Sequence, residues 1–180
     1  MDSSSISIVA SPNTSSCYNY YDVFINHRRP DVKKTFATDL YHALTKHGLR
    51  VFLDIEELLE GDKLNSQIES AIRTAAVQIA IFSPGYALSS WCLNELLYMF
   101  EMLERGSTIL PVFYNVKPSD LRWATGLYAE SLRSLENEKT FDFQSHQEKP
   151  RYDYDNIEKW RKALFDVANI CGFHLDSYNG

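Results

Sequence analysis

Apolar and polar positions along the chain change period repeatedly, and each change marks an element. Residues 20–25 form a short aromatic and β-branched run, the pattern of a buried strand. Residues 26–31 (Asn-His-Arg-Arg-Pro-Asp) read as a basic turn. Val32, Phe36, Leu40, Ala43 and Leu44, three or four residues apart, then predict an amphipathic helix closed by Gly48. A second strand over 49–53 leads into an acidic loop at 54–62 that carries Asp54, Glu56, Glu57, Glu60 and Asp62, with a turn at Gly61. Leu64, Ile68, Ala71 and Ile72 mark the buried side of a second helix. The unbroken apolar run 76–82 is that of a central parallel strand covered on both faces. Residues 83–86 turn the chain into a third helix, with Ser89 or Ser90 as its N-cap and Leu93, Leu96, Leu97, Phe100 and Leu103 as its inward stripe. A fourth strand over 108–114 precedes a helical region running from Lys117-Pro118 to about Leu135. Residues 136–155 are polar, aromatic and without period, and read as a long, partly mobile excursion. Ile157, Trp160, Ala163, Leu164 and Val167 give the inner face of a last helix that stops at Gly172. A fifth strand has no clear apolar run, and its expected place is a short segment between the fourth strand and the last helix.

Strand and helix alternate four times, which predicts an α/β domain: a parallel sheet with helices on both faces, joined by right-handed crossovers. Ligands of such sheets bind beyond the carboxyl ends of the strands, where strand order reverses. With the first strand between the second and third, the reversal brings residues 26–30 and 83–95 to one crevice. Residues 1–19, with seven serines, read as a disordered leader, 20–176 as the folded domain and 177–180 as a tail.

Composition narrows the function classes. The formal net charge of −6 gives no bulk attraction for nucleic acid or anionic membrane, so binding to either would need a local patch. Cys17, Cys92 and Cys171 are odd in number, widely spaced and without metal-ligand spacing, as expected in a reducing compartment. No apolar run approaches 18 residues, which argues against secretion or membrane spanning.

The crevice chemistry is sparse. There is no phosphate-binding GxxxxGK[ST] loop and no GxGxxG after a strand. A phosphoacceptor receiver would need an aspartate where Phe82-Ser83 stand. What remains is one carboxylate, Glu95, with Trp91 one turn before it, Ser89 near by, and the pair Arg28 and Arg29. Helix geometry sets Glu95 about 110° from the centre of the leucine stripe, on the edge of the buried face. Cleavage of the N-glycosidic bond of a nicotinamide dinucleotide suits this set. The leaving group departs neutral, so the second carboxyl group of an ordinary glycosidase is not required. One carboxylate can hold the ribose hydroxyls and stabilise the developing ribosyl cation; Arg28 and Arg29 can meet phosphates, and Trp91 offers a ring face. Each residue also has a plainer reading: Glu95 as a first-turn surface carboxylate, the arginines as a solvated turn, Trp91 as core packing.

Five ordered stretches carry a resemblance: Tyr21-Asp22-Val23-Phe24-Ile25; Gly48-Leu49-Arg50-Val51-Phe52-Leu53-Asp54; Ser89-Ser90-Trp91-Cys92-Leu93-Asn94-Glu95-Leu96; Leu110-Pro111-Val112-Phe113-Tyr114 with Lys117-Pro118-Ser119-Asp120; and Trp160-Arg161-Lys162-Ala163-Leu164. From Tyr21 to about Leu175 the chain resembles the TIR (Toll/interleukin-1 receptor) domains of plant immune proteins, and specifically a TIR-only protein. The resemblance implies a flavodoxin-like three-layer fold with strand order 2-1-3-4-5. It also implies hydrolysis of NAD or NADP, as substrate and with no cofactor or metal, to nicotinamide and ADP-ribose or a cyclic variant that serves in innate immune signalling. Glu95 matches the family's catalytic glutamate. Arg28, Ser89 and Trp91 match positions lining its nucleotide pocket, with Arg29 beside them. The loop with Asp54, Glu57, Gly61 and Asp62 matches the segment that packs against a neighbouring subunit, so the expected partners are other TIR domains in a homo-oligomer. Cys92 matches a position implicated in cyclic-nucleotide formation from nucleic acid, an activity the acidic charge does not support. The expected location is cytoplasmic, with the nucleus also open. Two departures stand out: Arg29 replaces the family's usual glycine, and Thr38-Asp39 replace a Ser-His pair used in symmetric packing. They keep open an alternative, a catalytically weak adaptor acting through TIR–TIR contacts.

Overall fold

The computed structural model describes residues 20–32, 36–53 and 66–176. The elements run β1 (Val23–His27), α1 (Arg29–Val32), α2 (Thr38–Lys46), β2 (Val51–Leu53), α3 (Ser66–Thr74), β3 (Val77–Phe82), α4 (Ser90–Leu103), β4 (Thr108–Tyr114), α5 (Pro118–Arg122), α6 (Gly126–Asn137), β5 (Lys139–Asp142), β6 (Gln147–Pro150), α7 (Tyr154–Val167) and β7 (Phe173–Leu175). A short 3-10 turn, Tyr86–Leu88, separates β3 from α4. Five strands form one parallel sheet in the order β2-β1-β3-β4-β7. This is the expected 2-1-3-4-5 order with β7 as its fifth member.

Alternation along the strands explains why both faces are covered. Phe24, Ala80, Phe82 and Phe113 point to one side, into a core shared with α3, α4, α6 and α7. Val23, Ile25, Ile79, Ile81 and Val112 point to the other, where Phe36, Leu40, Tyr41 and Leu44 lie over them. That second layer is thinner, and no residue of α2 is fully buried. β1 steps to β2 through one face while β3 steps to β4 through the other. The crevice between the ends of β1 and β3 is therefore the switch point.

Several elements differ from expectation. The fifth sheet strand follows the last helix instead of preceding it, and it is only three residues long, with Phe173 exposed. Edge position explains why it lacks an apolar run. The excursion at 136–155 contains an antiparallel hairpin, β5 with β6, whose side chains are almost all exposed; with no face to bury, it shows no period. The helical region after Lys117 breaks in two at Ala124 and Gly126, both with positive φ (45° and 54°). Asn26 and His27 belong to β1 instead of a turn, and residues 29–32 form a helical turn. The acidic loop residues Asp54, Glu57, Gly61 and Asp62 fall outside the described residues, as do 1–19 and 177–180.

Candidate active site

α4 begins where the sequence indicates. Ser89 is its N-cap, in extended backbone, and its Oγ accepts from the Cys92 backbone N–H at 3.2 Å. The helix is rotated relative to the leucine stripe. Its buried residues are Cys92, Leu93, Glu95, Leu96, Met99 and Met102, while Leu103 reaches solvent. Leucines outvoted the softer Cys and Met positions in the periodicity, yet it is the latter that face the sheet. Glu95 therefore lies on the buried face, with 5% of its surface exposed, and not at its edge. The plainer reading of a surface carboxylate fails on this point.

A polar network surrounds Glu95. Asn26, fully buried at the end of β1, donates Nδ2–H to Glu95 Oε2 at 2.6 Å. The Tyr86 hydroxyl lies 2.5 Å from Asn26 Oδ1 and 3.1 Å from the Cys92 carbonyl oxygen. Burial pushes the Tyr86 ionisation far above its usual range, and the nearby Cys92 and Glu95 push it the same way. It remains a donor. Burial, and after it the charge of Glu95, also raise the Cys92 thiol, which points at the His27 carbonyl at 3.5 Å. Such a thiol is a packing group and not a nucleophile.

Arg28 meets Asp31 at 2.5 Å, and Asp31 also accepts from Ser83 Oγ at 2.5 Å and from the Gly85 N–H at 3.0 Å. The clasp joins the segment after β1 to the segment after β3. Tyr128 fixes the same segment from α6 through a 2.9 Å bond to the Ser83 carbonyl. Arg28 thus reaches the crevice already paired, and Arg29 starts α1 beside it. Trp91 is half-buried against the main core, one turn before Glu95. Asn94 accepts from Trp160 Nε1 at 2.9 Å and Ser90 bonds the Tyr152 hydroxyl at 2.9 Å, so α4 is also pinned to α7 and to the chain after the hairpin. Among the described residues no group of three or more His, Cys, Asp or Glu converges as a metal site would require.

The structure brings Glu95, Ser89, Trp91 and Arg28 to one end of the sheet. Sequence reasoning missed Asn26, Tyr86 and Asp31. The available signal was Asn26 itself, an amide ending an apolar strand run.

Fold and site together define a doubly wound α/β domain with a carboxylate set at the switch point of its sheet. A TIR domain model matches residues 20–180, and the chain belongs to the TIR family. It is 50% identical over 160 residues to the "Probable 2′ cyclic ADP-D-ribose synthase BdTIR" of Brachypodium distachyon, covering 89% of this chain and 62% of that one. It is 35% identical over 165 residues to the TMV resistance protein N of Nicotiana glutinosa, covering 91% of this chain and 13% of the relative. The chain thus spans less than two thirds of the length of each. Among solved structures it matches the TIR domains of the activated Roq1 resistosome that directly recognises the pathogen effector XopQ, with TM-score 0.72, 36% identity and coverage of 86% of this chain and 87% of that one.

Proposed function

We propose that this TIR domain is an NAD(P) glycohydrolase of plant immune signalling, active on self-assembly, with Glu95 as the catalytic carboxylate. The observation that carries the reading is the buried Glu95 at the switch point, one oxygen held by Asn26. The half-identical relative, named as a cyclic ADP-ribose synthase, supports the substrate class. The likeness to TIR domains of an assembled resistosome supports dependence on assembly.

In the reaction the bond between ribose C1′ and the nicotinamide nitrogen breaks. The bonding pair leaves with nicotinamide, which departs neutral and needs no proton. Positive charge spreads over C1′ and the ring oxygen, and the Glu95 carboxylate, in a site of low dielectric, stabilises it. Water then adds at C1′ and releases a proton to give ADP-ribose; a hydroxyl of the ADP-ribose itself, adding in the same way, gives a cyclic product. Trp91 and Ser89 shape the nucleotide site, and Arg28 with Arg29 supplies positive charge for the phosphates.

The test is nicotinamide release from NAD and from NADP by the purified protein, beside a Glu95→Ala variant with matching circular dichroism. Release by the wild type alone supports the reading. No release from either dinucleotide, even with a crowding agent that forces assembly, replaces it with the adaptor.

A further inference from the structure

Asn26 has a shape and placement that packing alone does not require. An amide presents a donor end and an acceptor end, and the surroundings of Asn26 distinguish the two. Its Nδ2 lies 2.6 Å from Glu95 Oε2 and 3.4 Å from the Cys92 carbonyl oxygen, both acceptors. Its Oδ1 lies 2.5 Å from the Tyr86 hydroxyl, whose proton is held by burial. Turning the amide over would set Oδ1 against the carboxylate and the NH2 group against a donor. One orientation alone satisfies every group.

We propose that Asn26, its amide held in this orientation by Tyr86, is a positioning residue that fixes the Glu95 carboxylate and keeps it ionised. The inference rests on the proposed role of Glu95. Burial to 5% exposure disfavours the charged form, and a donated N–H favours it. The donor offsets the burial without bringing a cation that would cancel the charge the ribosyl cation needs. The titratable groups around the carboxylate are Tyr86 and Cys92, His27 next along β1, Tyr128 from α6, and the Arg28–Asp31 pair beyond. Replacing Asn26 leaves all of them in place.

The experiment follows the Glu95 carboxyl by carbon-13 NMR in glutamate-labelled protein, assigned with Glu95→Gln. Asn26→Leu, of similar size, removes the donor and should raise the Glu95 pKa by about 1–2 pH units. Tyr86→Phe removes only the amide's anchor and should raise it by roughly half a unit. In the nicotinamide-release assay the acid limb of the kcat/KM profile should move up in step. At pH 6, kcat should fall roughly 10- to 100-fold in Asn26→Leu with KM changed less than about twofold, because Asn26 acts through Glu95. An unshifted Glu95 titration in both folded variants overturns the inference, as does a loss confined to KM. If Asn26→Leu does not fold, Tyr86→Phe decides alone, with an unmoved titration as the overturning result. A shifted titration in a wild type that releases no nicotinamide would keep Asn26's hold on Glu95 and remove the hydrolase reading.

Discussion

Two carboxylates stand at the same end of the sheet, Asp31 after β1 and Glu95 in the second turn of α4, and their surroundings differ in kind. Asp31 accepts from a guanidinium, a hydroxyl and a backbone N–H, which balances its charge and uses it to tie two strand-end segments together. What Asn26 brings to Glu95 is a dipole and no charge. The first arrangement is how a carboxylate serves structure. The second keeps negative charge in a dry place where it acts strongly on a developing cation. A sequence contains both residues as single letters, and only their partners separate the roles.

The contrast can be broken from either side. The largest expected effect is that of Glu95→Gln, which should lower nicotinamide release by at least roughly 100-fold while leaving the urea midpoint within about 1 kcal/mol of wild type. Asp31→Ala should do the reverse in proportion. It strands the donors of Arg28, Ser83 and Gly85 and should cost about 1–3 kcal/mol by urea denaturation, the lower end reflecting partial exposure of the pair. Activity per folded molecule should drop less than in Glu95→Gln; an equal drop would merge the two roles. Gly85→Ala probes the clasp more gently. A Cβ there would come within 2.8 Å of Asp31 Oδ2 and 2.9 Å of Arg28 NH1, the far ends of flexible side chains, so a cost near 1 kcal/mol is expected.

The smallest effect is alkaline. Burial raises the Cys92 thiol above its model value of 9.0, so the native state holds a proton that the unfolded state releases. The stability this contributes is fully present below about pH 9 and declines as pH rises beyond it. Urea midpoints at pH 7, 9 and 10 should fall more in wild type than in Cys92→Ala. At pH 8 an alkylating reagent should label exposed Cys171 in the native protein and reach Cys92 only on unfolding.

Legibility followed burial. β3 and β4, apolar throughout and covered on both sides, were readable to within a residue of their ends, and the Ser89 cap followed from local chemistry. β7 and the hairpin were not readable, since strands that bury little carry no period. Glu95 was singled out from the sequence, but its depth was not. Periodicity weighed Leu97 and Leu103 above Cys92, Met99 and Met102, and so turned the helix too far. Asn26 escaped for a different reason. Its role depends on Tyr86, 60 residues away, and on Glu95, 69 residues away, and no local pattern encodes such a contact.

The charge pattern bears on assembly. The basic stretch at 27–34 and the acidic loop at 54–62 are complementary, and head-to-tail packing through them should weaken at high salt. Light scattering that does not change from low to high salt would remove that pairing. Arg28 contributes less than its formal charge, because Asp31 already meets it.

The central claim is most directly tested by the initial rate of nicotinamide release from NAD as a function of protein concentration, for wild type and Glu95→Gln side by side. The account predicts a rate per molecule that rises with concentration in the wild type and stays near background in the variant. A variant as active as the wild type would contradict it, and so would a wild-type rate per molecule that is flat across concentrations spanning monomer and assembly.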